Sequence, residues 1–146
     1  MAKPFSFKLQ RVLDYRTLLE EQAKGALAMA KRAFDAQAVK VTDLETSLSA
    51  HLGKAAQMSG SANDLWLWRQ YKAALEQDLS RERIALTQLE HKLHKCRQQA
   101  VDRSKDKKLL EKLKETQARK HNAHETARET KENDEMATIR YERKDI

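Results

Sequence analysis

From Asp64 to Ile146 the chain contains neither glycine nor proline. A backbone without these two residues has no ready means of turning, because glycine supplies positive φ and proline interrupts the helical hydrogen-bond ladder. A stretch of this length is therefore one continuous helix or no structure at all. Periodicity decides for helix. Leu65, Trp68, Lys72, Leu75, Leu79, Glu82, Leu86, Leu89, Leu93, Cys96, Ala100, Arg103, Lys107 and Leu110 succeed one another at steps of three and four, the spacing of a seam that faces a partner helix.

The partner is found in the first part of the same chain. Pro4 keeps the opening residues extended, Ser6 is placed to cap, and a helix is expected from near Phe7 with only Gly25 as a weak point before Gly53. Its seam reads Phe5, Leu9, Val12, Arg16, Leu19, Ala23, Ala26, Ala30, Ala33, Gln37, Val41, Leu44, Leu48, His51 and Ala55. Two steps of four, Ala33 to Gln37 to Val41, predict a stutter that brings Phe34 into the interface. Gln57-Met58-Ser59-Gly60-Ser61-Ala62-Asn63 is the one strong turn signal, with Asn63 or Asp64 as the cap of the second helix. The fold class expected is all-α, a long antiparallel two-helix coiled-coil hairpin. Its parts are helix 1 at about 6–56, a reversal at 57–63 and helix 2 at about 64–140, in a single elongated domain with Leu44 near Leu75.

Composition agrees with that economy. Leu, Ile, Val and Phe number only 28 of 146 residues, too few for a globular core, while a formal net charge of +7 is too small to enforce disorder. The one cysteine, Cys96, excludes an internal disulfide framework. The opening residues carry no apolar run with a cleavage pattern, and no run of 18 apolar residues occurs, so the expectation is a cytoplasmic protein that does not span a bilayer. Between Lys114 and Glu135 the only apolar residues are Ala118, Ala123 and Ala127, which leaves this stretch with no ordinary seam and a tendency to fray on its own.

No group of residues supports catalysis. Gly53-Lys54 lacks both the preceding glycine and the following Ser or Thr of a phosphate loop. His91 with His94, and His121 with His124, share helical faces, but no third ligand converges on either pair, so structural or solvated histidines are the simpler reading and no metal or other cofactor is expected. Residues 92 to 112 hold eight basic side chains against three acidic ones. Such a stripe suits a solvated face, an acidic protein surface, or phosphates, the last least because no aromatic residues interleave. Leu65-Trp66-Leu67-Trp68 is apolar through a whole turn, more than a two-helix seam can cover. Either Trp66 folds under the Met58 to Asn63 reversal as a tip cap, or it opens a protein-binding patch that runs on to Tyr71 and Leu75.

Two segments resemble a known family. Phe5-Ser6-Phe7-Lys8-Leu9-Gln10-Arg11-Val12-Leu13-Asp14-Tyr15-Arg16, followed by Glu20-Glu21-Gln22-Ala23-Lys24 and Leu27-Ala28, resembles the opening of FliJ-type flagellar export proteins. Asp134-Glu135-Met136-Ala137 with Arg140-Tyr141 and Arg143-Lys144 is similar to that family's close. The resemblance implies a non-enzymatic part of the flagellar type III export apparatus. It implies a stalk-like coiled coil that inserts in the hexameric export ATPase ring, promotes its assembly and activity, and meets the cytoplasmic domain of the membrane export gate and export chaperones. On that basis Phe7, Leu9, Leu13, Met136, Ile139, Arg140, Tyr141 and Arg143 are expected at the ATPase ring. Trp66, Tyr71 and Leu75 are expected at the gate. The free protein is expected to be a monomer without nucleic acid, peripheral at the cytoplasmic face of the inner membrane at the flagellar base. A generic coiled-coil spacer would need the seam alone. A nucleic-acid-binding hairpin would need the Lys92 to Lys112 stripe.

Overall fold

The computed structural model describes residues 3–57 and 60–144. The fold is all-α, with helix α1 (Gln10–Gly53), a 3-10 turn (Ala55–Gln57) and helix α2 (Ala62–Lys144), and no strand among the described residues. The two helices pack against each other antiparallel. That packing falls into two units, one formed by residues up to Glu20 with those from Asp102 onward, the other by Glu21–Val101.

In the Glu21–Val101 unit, α1 turns Ala23, Leu27, Ala30, Phe34, Gln37, Val41, Leu44, Leu48 and His51 inward. These positions alternate steps of four and three without a break, so the expected stutter is absent. Ala26 and Ala33 are exposed; Leu27 holds the seam in place of the first, and Phe34, expected in the interface through the stutter, stands in the regular seam in place of the second. The larger side chains win because each removes far more apolar area from water than an alanine does. On α2 the seam from Trp68 to Ala100 keeps to the expected positions, with Leu75, Leu79, Leu93 and Ala100 buried. One layer of this core is polar. Gln37 Nε2 donates to the Glu82 carbonyl at 3.0 Å and also meets the Glu82 carboxylate.

Helix α2 starts at a different cap from either expected residue. The Asp64 N–H donates to Ser61 Oγ at 3.3 Å, and the Leu65 N–H donates to the Ser61 carbonyl at 3.1 Å, which makes Ser61 the N-cap. Asp64 then stands third in the helix, where its carboxylate folds back so far that a side chain on Gly60 would collide with it. Met58 and Ser59, part of the expected reversal, lie outside the described residues.

In the other unit, residues 3–9 are not helical. Helix α1 begins at Gln10 rather than near Phe7, and no Ser6 cap forms. Phe7 is buried instead, its carbonyl accepting the Gln10 N–H at 3.1 Å in a turn that leads into the helix. The extended strap before it lies along α2, with Phe5 against the His121 ring at 5.8 Å. Leu13 and Glu20 are buried and Leu9 and Val12 are exposed, a shift of face relative to the expected seam. Helix α2 continues through the stretch expected to fray. Its inward positions there are Lys114, Ala118, His121, Glu125 and Arg128, a seam at regular spacing built mostly from polar side chains.

Candidate functional site

At the end of α1 the chain builds an aromatic knot. The His51 ring stacks on Trp68 at 4.9 Å and meets the edge of Tyr71 at 4.6 Å. Two reciprocal hydrogen bonds lock it: Trp68 Nε1 donates to the His51 carbonyl at 3.1 Å, and His51 Nε2 lies 2.9 Å from the Trp68 carbonyl. A carbonyl only accepts, so that bond requires the proton on Nε2. The knot floors a groove of about 720 Å³ whose rim includes Lys54, Asp64 and Leu67.

The residues expected at the gate divide here. Trp66 and Tyr71 are 57% and 54% exposed and Leu67 lies open beside them, whereas Leu75 is 7% exposed and belongs to the core. Trp66 therefore does not cap the tip; it stands in solvent with Leu65 and Leu67, because Trp68 on the opposite side of the turn takes the inward place. The interlock of His51 with Trp68 is not legible in the sequence, although both positions stand in the two seams and face one another across the reversal.

The residues expected at the ATPase ring divide in the same way. Phe7 and Leu13 are buried and Leu9 is at the surface. Met136, Ile139 and Tyr141 are all more than half exposed, and their neighbours Arg140 and Arg143 are exposed too, on a stretch where every described residue from Glu129 is exposed. The strap reaches His121, where the Lys3 carbonyl lies 2.7 Å from Nε2. At about 1.5 Å per residue, Met136 stands a further ~22 Å along the helix, so the structure does not bring the two sets together.

Charge crosses this unit in pairs. Arg16 Nη1 meets Asp106 Oδ2 at 3.1 Å, Lys107 Nζ meets the buried Glu20 Oε1 at 3.3 Å, and Lys114 Nζ donates to Gln10 Oε1 at 2.7 Å. The hydrogen bond to Glu20 holds the Lys107 ammonium above the ordinary lysine value, with partial burial opposing it and the charges of Glu20 and Glu111 adding to it. Farther on, the Glu125 carboxylate is buried beside the Arg128 guanidinium at 2.9 Å. Among the described residues no three His, Cys, Asp or Glu side chains gather to hold a metal, and no helix is long and apolar enough to cross a membrane.

Comparison with known proteins gives these surfaces a context. A solved structure of a candidate YscO homolog from Chlamydia trachomatis matches with a TM-score of 0.55 at 17% identity, covering 95% of this chain and 96% of that one. At that identity the likeness concerns the fold. No curated protein matches. The family model described as flagellar FliJ protein matches residues 5–145, from the strap through both helices to the exposed end of α2, and the chain therefore belongs to the FliJ family.

Proposed function

We propose that this chain is the stalk of a flagellar export ATPase, with the end of α2 as its ring contact and the Trp66–Tyr71 surface as its contact with the export gate. Membership of the FliJ family makes it a component of the flagellar type III export system, a family without catalytic activity of its own. The observation that carries the finer reading is the last part of α2. Met136, Ile139 and Tyr141 are exposed on a helix that has no partner within the described chain, flanked by Arg140 and Arg143. Apolar side chains on an unpartnered helix favour burial against another protein, and cations at a helix C-terminus suit acidic loops there. Phe7 and Leu13 act from beneath, holding α2 in place. At the tip, exposed Trp66, Leu67 and Tyr71 form the second contact, with buried Leu75 as their support. Export chaperones complete the set of partners.

The test is co-purification with the export ATPase and measurement of its turnover. The full chain is expected to bind and to raise ATP hydrolysis, and Met136→Ala with Tyr141→Ala is expected to weaken both with helicity unchanged. Undiminished stimulation by that variant would remove the end of α2 from the ring contact. Trp66→Ala with Tyr71→Ala is expected to weaken binding to the gate's cytoplasmic domain only.

A further inference from the structure

Helix α2 carries more positive charge than its own unit uses. Of the basic residues between Lys105 and Lys120, Lys107 and Lys114 face α1, and each is held there by Glu20 or Gln10. Lys105, Lys108, Lys112, Arg119 and Lys120 have no ion pair or hydrogen bond to any described residue. All five are exposed, and their spacing sets them on one outward face of the helix. Asp106 is turned to Arg16 at 3.1 Å and Glu111 to Lys107 at 3.6 Å, which leaves Glu115, exposed between Lys112 and Arg119, as the acid beside this face, outnumbered by its five cations.

This face is not purely charged. Leu109 lies in the middle of it with 67% of its surface exposed, and Leu113 stands one turn on at 39%. Lys105, Lys108, Leu109 and Lys112 enclose one shallow depression of about 300 Å³, and Thr116, Arg119, Lys120 and Ala123 a second of about 380 Å³. Lysine stems wall such depressions with methylenes while their ammonium groups stay at the rim.

We propose that this outward face of α2 docks an acidic amphipathic helix of a partner protein, its apolar stripe covering Leu109 and Leu113 and its carboxylates meeting the five free cations. Charge complementarity selects an acidic partner. The central leucines select a protein helix over a polyanion, because a phosphate backbone gains nothing from exposed leucine and the face has no aromatic ring on which a base could stack. The apolar strip is also too narrow for a membrane-surface helix, which buries a broad apolar face among the headgroups. This surface is separate from the exposed end of α2 proposed for the ATPase.

The probe is a synthetic helical peptide with leucines at one stripe flanked by glutamates on both sides, titrated into the full chain. A scrambled peptide of the same composition, a single-stranded oligonucleotide and anionic phosphatidylserine vesicles serve as comparisons. Saturable binding is expected, weakened by salt as exposed charges are screened, and at least ~10-fold tighter than for the scrambled peptide. Lys105→Glu, Lys108→Glu and Lys112→Glu together are expected to lower affinity by more than ~10-fold, and Leu109→Ala by a few fold, with helicity and ATPase stimulation unchanged. Equal binding of the scrambled peptide, no response to Leu109→Ala, or preference for the oligonucleotide or the vesicles would each overturn the proposal. So would a loss of ATPase stimulation in the triple variant, since the face would then belong to the ring contact.

Discussion

A glutamate held at 5% exposure against a lysine is the least expected contact in a chain so short of apolar residues. The Glu20–Lys107 pair takes a position where a coiled coil would ordinarily put leucine, and its contribution depends on both partners staying ionised. The pH sign comes from the lysine. Its folded value lies above the ordinary one of 10.5, so the stabilisation is complete below that value and is lost as pH rises through the folded value. In urea titrations the wild type is expected to lose stability more steeply above about pH 10.5 than Lys107→Met, which has no such proton to release. At neutral pH Lys107→Met is expected to be the less stable protein, since Glu20 keeps its burial and loses its lysine. Pairing it with Glu20→Leu should recover the loss, because two apolar residues replace a buried pair at little cost. Leu79, 5% exposed, sets the scale for an ordinary core position: Leu79→Ala is expected to cost about 2–5 kcal/mol in chemical unfolding, and the surface change Leu9→Ala no more than about 0.5.

At the scale of the elements, α2 is far more legible than α1, and alanine is the reason. Leucines at steps of three and four from Leu75 to Leu93 leave one face to choose, and the structure buries or half-buries that face. Between Ala23 and Ala38 the first helix carries alanine on nearly every side, a residue too small to reveal which face is inward, so spacing points to Ala26 where Leu27 packs, and admits Phe34 only as an addition beside Ala33 where it is the seam residue itself. The end of the seam escapes a sequence reading for the opposite reason. Lys114, His121, Glu125 and Arg128 keep the right spacing with the wrong chemistry, and periodicity in apolar residues cannot register them. The candidate surfaces are legible in part: the apolar excess at Leu65-Trp66-Leu67-Trp68 is visible, but which tryptophan turns inward depends on the reciprocal bonds between Trp68 and His51. Fluorescence separates the two indoles. With Trp66→Phe, the remaining Trp68 is expected to be quenched weakly by iodide, and with Trp68→Phe the remaining Trp66 strongly. Trp68→Phe should also destabilise the protein by about 0.5–1.5 kcal/mol for the hydrogen bond it removes, whereas Trp66→Phe should not.

Across the whole molecule, order and burial part company along α2. From Lys114 to Arg128 the helix is held by the strap and the start of α1, through the Lys114–Gln10 bond, the Lys3–His121 bond and buried Glu125. From Glu129 to Lys144 it is still helical, yet every side chain is exposed. A single helix of that length gains only its own backbone bonds and a few charge pairs at a few tenths of a kcal/mol each, which is marginal in water. Its opening free energy should therefore be small, while the held stretch before it should open only with the unit that packs on it. Hydrogen exchange in the free protein is expected to be slow through about Glu125 and fast from about Glu129 onward. Addition of the export ATPase is expected to slow the second stretch and leave the first unchanged, because only the second lacks a packing surface. A chain ending at Glu132 should keep its stability in denaturant, having lost nothing buried, and should lose most of its stimulation of ATP hydrolysis. Unchanged exchange from Glu129 onward in the complex, or full stimulation by the shortened chain, would show that the ring grips the packed part of the unit instead of its exposed end.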